Sequence, residues 1–281
     1  MSDIKIEEGV VVAKGGDRDL KANILRPANQ SGPVPGILIL PGGGFRNADR
    51  TPLAERYGLA LASDGYVCVT AEYRVMDEAP WPAQVQDVKA EIRWMRANSA
   101  DLGIDPDLIV VAGKSAGGLL ALVAAGSSHV KEFDGDGGNP GVSSKVAAVV
   151  GMSPVSDISE RAVDPAFEPL FGKNPSADLV RAANAITYAN KDYPPALFFH
   201  GTSDTRVHHS TTMRMYEALE QAGVPVDLHL FAGEDHFFDR EPRFLIATTA
   251  SIAISISRNV PVRFPPPLSS LLHPPLRFSP P

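Results

Sequence analysis

One serine in this 281-residue chain stands in a setting suited to nucleophilic attack, Gly113-Lys114-Ser115-Ala116-Gly117. The apolar run Leu108 to Ala112 before it reads as a strand, and Gly118-Leu119-Leu120-Ala121-Leu122 after it starts a helix. Ser115 therefore sits on a strand-to-helix turn, where small neighbours let the chain bend sharply. The helix dipole and the N–H of Ala116 would then favour negative charge developing on a bound carbonyl oxygen. A serine hydroxyl is a weak nucleophile at neutral pH and needs a base within hydrogen-bond reach. Of the seven histidines, His236 is best placed, because Ala232-Gly233-Glu234-Asp235 leads to it from the end of the apolar run Val226 to Phe231. An acid that orients the imidazole should follow an earlier strand, and Asp204 does so in Gly201-Thr202-Ser203-Asp204, just after Ala196 to His200. Acyl transfer is the chemistry these three residue types perform together.

The rivals are weaker on physical grounds. Glu234 and Asp235 are close to His236 in sequence, but adjacent side chains on a tight loop seldom face one another. His200 ends a strand, which fits packing or support of a turn, and His208-His209 lies at a helix start where exposure is the default. No metal spacing is present among the histidines, so neither a metal nor a cofactor is expected. A further candidate is Pro41-Gly42-Gly43-Gly44-Phe45, a glycine turn after the strand Gly36 to Leu40. Glycines permit close backbone approach, so N–H groups there can point at a substrate oxygen.

The elements that must position these residues alternate along the chain. An antiparallel hairpin is expected at the start, with Gly9 to Ala13 and Leu20 to Leu25 flanking Gly15-Gly16-Asp17. A helix at Pro52 to Ser63, a strand at Tyr66 to Arg74 and a helix at Trp81 to Ala97 follow, the last with Val85, Val88, Ile92 and Met95 on one face. Lys145 to Met152 reads as a buried strand, Ser210 to Ala222 as a helix and Pro242 to Ser257 as the last helix. Repeated β-α-β order predicts an α/β fold, a mostly parallel twisted sheet with helices on both faces. The rhythm breaks at Ser153 to Asp192, a small lid insertion in which Phe167, Leu170 and Phe171 are candidate pocket lining.

The chain is 44% hydrophobic and 21% charged, which fits one globular catalytic domain over residues 1–260. Residues 261–281 hold 8 of its 25 prolines, a tail expected to be neither helix nor central strand. A net charge of −7 argues against nucleic-acid binding, which needs clustered Lys and Arg. No stretch approaches the ~18 apolar residues of a membrane span. The single cysteine, Cys68, reads as core, and Met1 to Gly9 has no apolar segment of a secretory signal, so a cytoplasmic location is expected.

These residues resemble the carboxylesterase branch of the α/β-hydrolase superfamily, close to the hormone-sensitive-lipase-like and acetylxylan- or feruloyl-esterase-like groups. The resemblance spans Gly36 to Phe238 and includes Ala71-Glu72-Tyr73-Arg74, Pro82-Ala83-Gln84-Val85-Gln86-Asp87-Val88 and Ile104-Asp105-Pro106. It implies the α/β-hydrolase fold, a Ser115–His236–Asp204 triad, and oxyanion donors on the N–H groups of Gly43, Gly44 and Ala116. Three departures stand out. Pro41 replaces the histidine of His-Gly-Gly-Gly. Lys114 replaces the usual Asp and is expected to add positive charge at the pocket mouth. His200-Gly201-Thr202-Ser203-Asp204 resembles the acid segment of the polysaccharide-esterase and prolyl-oligopeptidase-like groups. The expected activity is hydrolysis of small-molecule, short-chain acyl esters through an acyl-enzyme. An amide-directed hydrolase on the same triad, or a catalytically silent ligand-binding relative, are the alternatives. A homodimer through the last sheet strand is common among similar esterases.

Overall fold

The computed structural model describes residues 3–243, 245, 248, 249, 251 and 252. Its centre is an eight-stranded sheet in the order β1-β2-β4-β3-β5-β6-β7-β8. The strands are β1 (Ile4–Gly15), β2 (Arg18–Pro27), β3 (Val34–Leu40), β4 (Val67–Ala71), β5 (Ile104–Lys114), β6 (Ala148–Met152), β7 (Ala196–Gly201) and β8 (Val226–Phe231). β1 pairs antiparallel with β2, and β2 antiparallel with β4; every pairing from β4 to β8 is parallel. The opening hairpin is longer than the apolar runs alone indicate, because polar residues at its ends, such as Lys5 with Arg26 and Lys14 with Asp19, still pair; β5 starts earlier, at Ile104 beside Val34, ahead of an irregular stretch before Ile109. β4 and β6 begin later than expected, at Val67 and Ala148.

The central strands read as unbroken apolar runs because both faces are buried. Successive side chains point to opposite faces. Leu38, Leu40, Val69 and Val111 pack into one core with the helices Ala83–Ala97 and Ser115–Gly126, while Ile37, Ile39, Cys68 and Val110 pack into the other with Leu53, Tyr57 and Leu61. Cys68 is fully buried, and burial raises its thiol pKa well above the usual range. The helix expected at Pro52 to Ser63 is present as three consecutive pieces, Thr51–Leu53, a π-helical turn Ala54–Gly58, and Leu59–Ser63. The Ser115–Gly126 helix is buried on all sides, consistent with its run of Leu, Val and Ala.

Two of the resemblance segments lock this frame together. Arg74 grips Asp87 through its Nε and Nη2, at 2.9 and 2.6 Å, and its backbone N–H donates to the same carboxylate. Ser153 to Asp192 holds short helices and turns without a strand. Leu170 and Phe171, however, are not in the lining of the cleft that holds Ser115. Both are buried in the core, Phe171 against Trp81, because their four-residue helix turns its apolar side inward. The expected last helix lies largely, and the proline-rich tail wholly, outside the described residues.

Candidate active site

Parallel pairing brings the carboxyl ends of β3, β5, β6, β7 and β8 to one edge of the sheet, with Leu40 beside Gly113 and Lys114 beside Met152. Loops leaving that edge are the natural place for a site, since each strand delivers one side chain to the same crevice. Ser115 follows β5 directly and holds φ at +54°, a left-handed conformation costly for a residue with a Cβ. Packing enforces it. A Cβ on Gly113 would lie 2.1 Å from the Gly117 carbonyl oxygen, and one on Gly117 would lie 2.3 Å from that of Pro41. Only glycine on either side lets the turn close against the loop after β3.

That loop is the predicted glycine turn. Gly43 has φ +127°, and a Cβ there would strike the Asn47 carbonyl oxygen at 2.1 Å. Support comes from Tyr73, whose buried hydroxyl donates to the Pro41 carbonyl oxygen at 2.9 Å, and from the Arg46 N–H donating to Gly43 O at 3.1 Å. A proline in place of histidine therefore leaves the loop anchored. Among the described residues, the N–H groups of Gly43 and Gly44 carry no hydrogen bond, and that of Ala116 is in a helix's first turn, where no intrahelical acceptor exists.

The acid loop after β7 and the histidine loop after β8 meet at the same edge of the sheet, the Ser203 N–H donating to Glu234 O at 2.9 Å. His236 Nδ1 donates to Asp204 Oδ2 at 2.6 Å, which leaves Nε2 free to act as a base. Asp204 is buried and accepts from the N–H groups of Arg206 and Val207, both at 2.9 Å. Burial alone would raise its carboxyl; hydrogen bonds from His200, His236 and Val207 N–H outweigh it and hold the group ionised far below the usual range. His200 supports this turn. Its Nε2 lies 3.1 Å from Asp204 Oδ2 and 2.9 Å from Val207 O, so that nitrogen carries the proton, while Nδ1 accepts from Thr212 Oγ1 at 2.9 Å. Glu234 and Asp235 do not face the imidazole: Asp235 accepts from the Phe237 N–H, and Glu234 lies near Arg243.

Ser115, Ala116, Gly43, Gly44 and His236 all line one cleft of about 530 Å³, to which the insertion adds Val155, Arg161 and Phe167. Asp204 stands behind His236, outside the lining. No hydrogen bond joins Ser115 Oγ to the imidazole in this structure; such bonds often close only when substrate is bound. Among the described residues no cluster of three or more His, Cys, Asp or Glu suited to a metal occurs, and no helix is long and apolar enough to cross a membrane.

Lys114 departs from its expected place. It is buried rather than at the mouth, its Nζ bonded to Asp239 Oδ1, while Arg56 reaches Asp239 Oδ2 at 2.9 Å. Lys114 Nζ lies 5.7 and 5.3 Å from the ring centres of Phe237 and Phe238, at the floor of the cleft, and a buried ammonium needs a partner. Asp239 is fully buried; despite that burial, the two cations keep its carboxyl below the usual range. This group escaped sequence reading, although an acid three residues after His236 and a lysine beside Ser115 were visible.

Known proteins share this arrangement of elements. A carbohydrate esterase from gut microbiota, in truncated form, superposes with a TM-score of 0.80 at 25% identity, covering 90% of this chain and 96% of that one. Esterase Est2 of Thermogutta terrifontis with propionate bound superposes at 0.75 with 26% identity, covering 93% and 97%. Esterase LipQ of Mycobacterium tuberculosis is 31% identical over 201 residues, 68% of this chain and 47% of LipQ. The chain spans about half the length of the mycobacterial esterases it matches. The BD-FAE family model matches residues 22–219, from β2 through the Ser210–Gln221 helix and so across Ser115 and Asp204. The chain thus belongs to the BD-FAE family and shares the fold of α/β-hydrolase esterases.

Proposed function

We propose that the chain is a serine carboxylesterase for short acyl esters, with Ser115 as nucleophile, His236 as general base and Asp204 as its orienting acid. The observation that carries this reading is the convergence of a strained Ser115 turn and an Asp204-bound His236 on one cleft. Ser115 Oγ attacks the ester carbonyl while His236 Nε2 takes its proton, and the oxyanion rests on the N–H groups of Gly43, Gly44 and Ala116. His236 returns the proton to the leaving alcohol. Water, deprotonated by the same imidazole, then releases the acid and regenerates the serine.

Two observations favour short acyl groups. Phe167 is the sole aromatic that the insertion adds to the cleft lining, and Est2, a structural relative, has been solved with propionate and with butyrate. Hydrolysis of p-nitrophenyl esters from acetate to decanoate, by the native protein and by Ser115→Ala, tests the reading. Activity should favour the short esters and vanish in the variant. A protein inactive on every ester, or a variant as active as the native form, refutes it; a maximum at ten carbons or more refutes the chain-length part alone.

A further inference from the structure

The cleft holds more positive charge than ester hydrolysis requires. Arg46, Arg161, Arg206 and Arg240 line it, although the chain as a whole carries a net charge of −7. They come from four separate segments: the glycine loop, the insertion, the acid loop and the histidine loop. Lys114 and Arg56 also lie at the cleft and share the single carboxylate of Asp239, which leaves one further positive charge there. Among the described residues, none of the four arginines forms an ion pair, and the sequence after residue 243 contains no Asp or Glu. Glu160 lines a neighbouring hollow with Arg161 and Arg206 but pairs with neither, and three other nearby acids are engaged elsewhere. Asp49, the one acid in the lining, accepts from the Thr51 N–H; Asp157 pairs with Arg214, and Asp164 accepts from the Ala166 N–H.

The four guanidiniums are also held in place. Arg46 bonds to the Ala166 carbonyl and sits over the Phe167 ring at 5.2 Å, and Arg161 bonds to the Arg206 carbonyl. Arg206 and Arg240 both pack on Phe237, with guanidinium carbons 5.1 and 4.0 Å from its ring centre. Lys114 Nζ, 5.7 Å from the same ring centre, has Asp239 as its partner, but the two guanidiniums have no carboxylate and repel unless an anion joins them. Phe237 lies 5.3 Å, centre to centre, from the imidazole of His236. In an acyl transfer the alcohol leaves on the side of the histidine that protonates it, which is the side of this pair.

We propose, on the reading of Ser115 as an esterase nucleophile, that Arg206 and Arg240 recognise an anion on the alcohol portion of the substrate, a carboxylate or a phosphate. Arg46 and Arg161 extend the attractive field at the mouth. Guanidinium forks match the paired oxygens of either group. The two arginines are specificity residues and take no part in bond cleavage.

The test compares three acetates that differ only in the alcohol: phenyl acetate, 3-acetoxybenzoate and 3-acetoxyphenyl phosphate. KM for the charged acetates should be lower by roughly tenfold, with kcat little changed, and the advantage should shrink at high salt. Which charged acetate gains more identifies the anion. In Arg206→Gln/Arg240→Gln the ratio of neutral to charged KM should fall to near one. An acyl-side pair, p-nitrophenyl butyrate and p-nitrophenyl hemisuccinate, should show no comparable gain. Equal KM values across the three acetates, a preference that survives the double substitution, or a gain confined to hemisuccinate each overturn the proposal. Calorimetric binding of phenyl acetate and 3-acetoxybenzoate to Ser115→Ala separates it from the esterase reading. Preferential binding of the anion by a protein that hydrolyses none of these esters would refute the esterase and keep the anion site. Hydrolysis of phenyl acetate that depends on Ser115, without any preference for charge, would do the reverse.

Discussion

Removing Asp239 should harm the protein far more than removing Lys114, although the two form one ion pair. Asp239 is wholly buried and serves two cations; the Lys114 side chain is 7% exposed and that of Arg56 26%. In Asp239→Asn the ammonium of Lys114 loses its countercharge inside the core, and breaking a buried pair in this way costs about 3–5 kcal/mol. Loss of a proton from Lys114 would cap that cost. In Lys114→Met the carboxylate keeps Arg56 at 2.9 Å and the core regains an apolar side chain, so the net cost should be about 1 kcal/mol or less. Replacing both, as Lys114→Met/Asp239→Leu, should come within about 1 kcal/mol of the native protein, since Arg56 can turn to solvent. Urea unfolding followed by circular dichroism reads all three. The pair ties the strand before Ser115 to the loop after His236, 125 residues apart, so Asp239→Asn should also lower kcat at temperatures where it remains folded. Equal destabilisation by Lys114→Met and Asp239→Asn would refute the reasoning, because Arg56 would then offer no compensation.

Asp204→Asn should lower kcat by roughly 10⁴ with KM little changed, since the imidazole would lose its correct tautomer while the cleft keeps its shape; a loss under tenfold in steady-state hydrolysis would argue against Asp204 as the orienting acid. Stability should fall in acid. The carboxyls of Asp204 and Asp239 have folded-state pKa values below their unfolded ones, so their contribution is complete above about pH 4 and is lost as pH drops through the folded values. Unfolding curves from pH 7 down to 2 should show that loss, reduced in Asp204→Asn. Glu91 acts with the opposite sign. Burial, then the charges of Asp87 and Glu72, raise its carboxyl, and neither oxygen has a hydrogen-bond partner. Stability from this group is present below about pH 4 and declines as pH rises toward the folded value, so Glu91→Gln should gain on the native protein between pH 4 and 7. A gap in unfolding free energy independent of pH would refute that. Tyr73→Phe removes the hydroxyl that holds Pro41 O and should cost about 1–2 kcal/mol in unfolding, with kcat reduced more than KM is raised; unchanged kcat would show that the loop needs no such anchor.

Much of the site was legible in the residues because its components are local. Gly113-Lys114-Ser115-Ala116-Gly117 announces a tight turn wherever a strand meets a helix, and the glycines after β3 announce close backbone approach. Each of Ser115, Asp204 and His236 follows its own strand, and parallel strands deliver their ends to one edge, so chain order alone pointed all three to that edge. The α/β class followed in the same way from alternating patterns. Composition could not tell which apolar residues of the insertion face the cleft: Phe167 does, while Leu170 and Phe171 entered the core, because a short helix is oriented by what it packs on and not by its own period. Neither could it show that Lys114 is buried against Asp239 and Arg56, that Tyr73 holds the loop at Pro41, or that Arg206 and Arg240 share the ring of Phe237. Turns and periods are written in neighbouring residues, whereas ion pairs and ring contacts across the sheet's edge join segments distant in sequence, and only the packed tertiary structure decides which of them meet.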